Sequence, residues 1–159
     1  MDLAAEPTIP ERSLAIRRAT ARLCLQLGWS PLHEMPLPNN RRADIMALRP
    51  DGGFACIEVK SGARDFLTDN KWPEYRDYSD SVYFAVDVDF PLELLPSETG
   101  LIVASNGDAE VLREPEVHTL SPARRRAQLH RFATLAAQRL AWLQDPDAQI
   151  SVRMALRCE

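Results

Sequence analysis

An α/β fold, a mixed central β-sheet flanked by helices, is predicted by three features of the sequence. Helical apolar spacing occupies the two ends of the chain, short strand-like runs fill the middle, and turn signals separate those runs at Pro38-Asn39-Asn40, Asp51-Gly52-Gly53 and Asn106-Gly107. The resulting order is helix, three strands, helix, three strands, helix, which suits a sheet with helices packed on it.

The elements follow in turn. Residues 1–10 read as a flexible lead-in without the basic and apolar regions of a signal peptide. Residues 11–27 form a helix, with Ile16, Ala19, Leu23 and Leu27 at helical spacing and Gly28 placed to cap its end. Residues 31–37 and 41–49 are short strands. Residues 54–60, FACIEVK, alternate most clearly, so 41–60 reads as a hairpin. Residues 70–79 predict a helix, in which Asp69 or Asn70 caps the start and Pro73 fits the first turn. Residues 81–88 form an apolar strand suited to the sheet centre, and 100–104 with 109–113 form a second hairpin. A last helix runs from Ser121-Pro122 to about Leu143, with Phe132, Leu135, Ala136, Leu140 and Leu143 expected on its inner face. One domain over 11–145 and a tail or edge strand over 146–159 complete the expectation.

Composition narrows the function. Hydrophobic residues make up 45% and charged residues 26% of the 159, ordinary for a globular protein. No apolar run approaches the ~20 residues of a membrane helix, so no membrane association is expected. Three widely spaced cysteines, Cys24, Cys56 and Cys158, suit a reducing cytoplasm and no zinc motif, and Cys24 and Cys56 read as core. The net charge of −4 conceals an asymmetry: residues 11–49 and 120–159 each hold seven arginines against three acids, while 50–119 hold fifteen acids against five bases. Carboxylates flanked by arginines suit a metal site that handles phosphate, although arginines on solvated helix faces give the same count.

The chemistry concentrates in Asp44 and Glu58-Val59-Lys60. Residues two apart on a strand share a face, so Glu58 and Lys60 project together with Cys56, and Asp44 joins them from the neighbouring strand. A buried carboxylate and ammonium are costly on a covered sheet face unless they serve a site. Two carboxylates can hold Mg²⁺ or Mn²⁺, with the Val59 carbonyl as a further oxygen ligand. Lys60 would then stand beside the attacking water or the phosphate.

A strand bearing Asp, a turn, and a strand bearing Glu-x-Lys resembles the PD-(D/E)XK nuclease superfamily. RRADIMAL, IEVKSGARDFLTDNKWPEY and SVYFAV resemble more narrowly the bacterial MmcB family of DNA-repair-associated proteins, over about residues 11–143. The resemblance implies the restriction-endonuclease-like fold, a catalytic set of Asp44, Glu58 and Lys60, and a metal-dependent DNA nuclease in repair, in the bacterial cytoplasm. Ala43 stands where the motif has proline. The alternative is a non-catalytic DNA- or protein-binding module on the same fold. No strongly basic segment or second domain supplies specificity, which points to another repair protein or a homo-oligomer as partner.

Supporting residues have two readings each. Glu11, in the first helix, adds a metal ligand as in many enzymes of that superfamily, or serves the helix dipole. Glu34 reaches the metal or lies exposed on its strand. Of Arg41 and Arg42, one grips phosphate. Ser61 and Arg64 follow Lys60 where a phosphate would arrive. Lys71 and Tyr75 share a helix face that holds DNA and stacks a base, unless the aromatics pack on the sheet. Asp65 and Asp69 are further metal candidates, with capping the other role for Asp69.

Overall fold

Thr8 starts the first helix, α1 (Ile9–Gln26). Its hydroxyl accepts the Glu11 N–H while the Glu11 carboxylate accepts the Thr8 N–H at 2.7 Å, a reciprocal cap, and Pro10 fits the first turn. The helix therefore begins two residues before the predicted start. It ends as expected at Gly28, whose φ of +75° closes the last turn, with the Trp29 N–H reaching back to the Cys24 carbonyl. Leu27 is exposed.

The computed structural model describes residues 6–148. Cys158 and the expected tail from 149 onward, like residues 1–5 of the lead-in, lie outside the described residues. The described residues form two compact units, divided after Leu120.

The first unit is built on a six-stranded sheet in chain order: β1 (Ser30–Pro36), β2 (Arg42–Leu48), β3 (Phe54–Val59), β4 (Ser81–Asp87), β5 (Gly100–Ser105) and β6 (Asp108–Arg113). The β1–β2, β2–β3 and β5–β6 pairs are antiparallel, whereas β3–β4 and β4–β5 are parallel. The sheet is thus mixed, as predicted. Both predicted hairpins are present, the second turning through Asn106 and Gly107 at positive φ.

Parallel neighbours require crossovers. Between β3 and β4 the chain forms α2 (Ala63–Thr68), absent from the sequence reading, and a 3-10 helix over Trp72–Tyr78 in place of the predicted α-helix. Ile16, Ala19, Leu23 and Cys24 of α1 pack on one sheet face, against Ile45, Ile57, Tyr83 and Ile102. Phe66 and Trp72 pack on the other, each edge-on to Phe84 at 5.3 and 6.1 Å. Gly100 lies so close to Tyr83 that a Cβ there would stand 2.3 Å from the ring Cδ1. β3 and β4 are covered on both faces, which explains their near-continuous apolar sequence.

The second unit contains α3 (Pro122–Gln144), capped by the Ser121 hydroxyl accepting the Arg124 N–H. Phe132 is buried, but Leu140 and Leu143 are 55% and 80% exposed rather than inward-facing. The apolar period of the helix continues beyond the stretch that is covered. Among the described residues no helix is long and apolar enough to cross a membrane.

Candidate metal centre

Regular pairing of β2 with β3 ends at Ile45↔Ile57. Just beyond it, side chains take over from the ladder. Oε1 of Glu58 accepts the Asp44 N–H at 3.1 Å, and Oδ2 of Asp44 accepts the Val59 N–H at 2.8 Å. The two carboxylates are thereby locked across the strand pair by the backbone groups that the parting strands leave behind. Among the described residues, Oδ1 of Asp44 and Oε2 of Glu58 accept no hydrogen bond, so each carboxylate keeps one oxygen for another partner.

Burial sets their charge state. Glu58 is only 4% exposed. Burial, with the Asp44 charge second, pushes its carboxyl up to about 8. Burial also raises Asp44, against the Val59 hydrogen bond and the charges of Arg17 and Lys60. Neighbouring Cys56 lies on the same face, its thiol 4.0 Å from Glu58 Oε1, and burial raises it far above the ordinary thiol range. It is inert core, as expected.

Lys60 is 5% exposed. Its N–H continues the sheet to the Ala85 carbonyl, and its ammonium donates to Asp69 Oδ2 at 2.7 Å, with Asp65 at 3.9 Å. Burial alone would lower the ammonium, but the Asp69 bond and the charges of Asp65, Asp69 and Glu58 outweigh it and keep Lys60 protonated. Asp69 is correspondingly held low against its own partial burial. This ion pair was not legible in the sequence, where Asp69 read as a cap or a ligand. It follows from α2, which turns the chain back over the end of β3.

The other predicted residues divide. Tyr75 is a correction: it is 6% exposed and its hydroxyl donates to the Arg42 carbonyl at 3.2 Å, so its ring is support for β2 and not a stacking platform. It lies in the 3-10 segment, with three residues per turn in place of 3.6. Glu11 is a second correction, since both its hydrogen bonds go to Thr8 in the helix cap. Glu34 is committed to arginines, 3.3 Å from Arg17 and 3.8 Å from Arg42. Arg41 pairs with Glu74 at 2.6 Å. Arg42, Arg64 and Lys71 are exposed, and Ser61 is buried directly after Lys60. Arg17, whose charge reaches Asp44, was missed; on α1 nothing but the fold connects it with residue 34 or 44.

The donor set fits a hard divalent cation. Asp44 and Glu58 offer one oxygen each, the Val59 carbonyl is the adjacent main-chain oxygen, and burying two carboxylates so close together is relieved by a cation. Among the described residues no three His, Cys, Asp or Glu side chains cluster as a metal-binding group. A separate cleft of about 430 Å³ lies where α1, the end of β4 and the β5–β6 turn meet; it holds the Arg12–Asp87 ion pair and none of Asp44, Glu58 or Lys60.

Comparison with solved structures gives a similar chain in SPO1766, a protein of unknown function from Silicibacter pomeroyi. It is 38% identical, with 92% of this chain and 96% of that one covered and a TM-score of 0.81. A repair endonuclease from Pyrococcus abyssi overlaps 56% of this chain and 39% of its own at 14% identity and a TM-score of 0.30, too slight a likeness to carry an argument. Comparison with curated proteins gives no match. The family described as DNA repair protein MmcB-like matches residues 2–147. The chain therefore belongs to the MmcB-like family of DNA repair proteins.

Proposed function

We propose that this protein is a Mg²⁺- or Mn²⁺-dependent deoxyribonuclease of restriction-endonuclease-like type, hydrolysing phosphodiester bonds during DNA repair. The observation that carries this reading is the carboxylate pair, each member tethered through one oxygen with the other to spare, beside a buried and protonated lysine. Asp44, Glu58 and the Val59 carbonyl would hold the cation. Such an ion, when bound, lowers the pKa of a coordinated water and neutralises phosphate charge.

The chain's own groups supply the rest. The backbone N–H groups of Asp44 and Val59 fix the carboxylates, so neither must reorganise as charge develops. Lys60 provides a fixed positive charge for the phosphate oxygens, and Asp69 orients it. Arg41, Arg42, Arg64 and Lys71 offer cations for flanking phosphates, and a partner repair protein or a second copy would add specificity.

Labelled single-stranded, duplex and branched DNA, incubated with Mg²⁺ or Mn²⁺, tests this reading. Wild type is expected to cut, and Asp44→Ala to lose at least about 10³-fold in rate, because several kcal/mol of charge stabilisation leave with the metal. DNA bound equally well with and without a chelator, and cut by neither protein, would establish a binding module instead.

A further inference from the structure

Glu34 has a φ of +48°, a conformation that a side chain with a Cβ seldom adopts. The distortion is local: His33↔Ile45 and Met35↔Ala43 keep register on either side, which sets Glu34 opposite Asp44. Backbone held this way is sustained by what the residue contacts. Here Oε1 lies between two guanidinium groups from different elements, 3.3 Å from Nη1 of Arg17 on α1 and 3.8 Å from Nη2 of Arg42 on β2.

The contacts are poor ones for arginine. At 3.3 and 3.8 Å both are longer than the short charge-assisted bonds that a carboxylate or phosphate makes with a guanidinium. Nε of Arg17 is buried and has no hydrogen-bond partner among the described residues. A buried donor without a partner is a standing cost that a better acceptor would remove. The charge of Arg17 also acts on Asp44, the residue that faces Glu34 across the β1–β2 pair.

We propose that Arg17 and Arg42 form a phosphate clamp at the edge of the carboxylate site, and that Glu34 is an internal stand-in anion that holds the clamp until a nucleic-acid phosphate displaces it. A phosphate presents several oxygens, enough to engage Nε and Nη of Arg17 together and still reach Arg42. Displacement releases Glu34 from both arginines. The residue expected from sequence to reach the metal acts instead as a competitor of the substrate. This inference rests on the reading of the protein as one that acts on DNA.

The test is fluorescence anisotropy of a labelled duplex oligonucleotide across a salt series, with Ca²⁺ in place of Mg²⁺ to limit cleavage. Arg17→Gln is expected to weaken binding about tenfold and to reduce the salt slope by about one. Glu34→Gly, which removes the anion and suits the positive φ, is expected to tighten binding about threefold to tenfold with no loss of thermal stability. In the Arg17→Gln background the Glu34→Gly gain should shrink below about twofold, since the clamp it would free is gone. Glu110→Gln, an exposed acid on β6, serves as the charge control and should change binding by less than about twofold. Equal gains from Glu34→Gly in both backgrounds, or no effect of Arg17→Gln, would overturn the clamp while leaving DNA binding established. Failure of the wild type to bind DNA would overturn both the clamp and the reading beneath it.

Discussion

Lys60→Ala is expected to slow DNA hydrolysis by about 10²- to 10³-fold, the range seen when one preorganised donor to a developing negative charge is removed. Divalent-cation affinity should stay within about threefold, because the bonds that hold Asp44 and Glu58 come from backbone N–H groups. The lysine is well placed for this single role. It is buried, charged, and fixed by Asp69 at 2.7 Å rather than by either carboxylate of the pair. Its loss leaves Asp69 partly exposed, where water can replace the ammonium, so the fold should survive. Lys60→Met preserves the buried stem and controls for packing. Rates measured at saturating Mn²⁺ beside calorimetric cation titrations separate the two quantities. Unchanged cutting by both variants would remove Lys60 from the mechanism.

The second large effect concerns stability. In the metal-free protein Glu58 titrates near 8 instead of 4.5. Between those values the unfolded chain has released a proton that the folded chain still binds. The stabilisation from this site is therefore complete below about pH 4.5 and is lost as pH rises through about 8. Glu58→Gln keeps an oxygen for the Asp44 N–H and removes the titration. The variant should show a flatter stability profile from pH 5 to 8.5, and at pH 8 with a chelator it should exceed wild type by a few kcal/mol, up to ~4 from the size of the shift. Excess Mn²⁺ should reverse that order, since a cation bound only by the folded wild type adds stability by mass action. Urea midpoints across pH, with chelator and with Mn²⁺, read both effects. A wild-type profile that is flat across this window, or an equal Mn²⁺ gain in the two proteins, would contradict the assignment.

Much of this architecture is legible in the sequence because its signals are local. Alternation in FACIEVK places Glu58 and Lys60 on one face, Gly28 ends α1, and Asn106-Gly107 turns the last hairpin. Each is decided by residues a few positions apart. The elements that escape are those where distant contacts win. α2 has six residues, too few for a periodic pattern, and is held in place by Phe66 against Phe84 and Phe90. Tyr75 lies inward in a 3-10 segment, where its hydroxyl meets the Arg42 carbonyl of a strand 33 residues away. Leu140 and Leu143 continue the apolar period of α3 yet are 55% and 80% exposed, so period alone does not mark the buried face.

The candidate site divides in the same way. Asp44 and Glu58 converge because strand register brings them together, and register follows from the hairpin. Asp69 meets Lys60 only through the chain reversal at α2, and Arg17 meets Glu34 only through the packing of α1. Glu11 had two readings in sequence, and the hydrogen-bonding needs of a helix start decide for the cap. The positive φ of Glu34 has no local sequence signal at all, since neither glycine nor asparagine occupies that position.

The central claim is that Asp44, Glu58 and the Val59 carbonyl make one divalent-metal site. Crystals of the protein soaked in Mn²⁺ and measured for anomalous scattering test it most directly. A single strong peak is expected within about 2.0–2.5 Å of Asp44 Oδ1 and Glu58 Oε2, with water completing the coordination. No peak at the pair, or a peak confined to Asp65 and Asp69 or to Asp87 and Asp89, would contradict it.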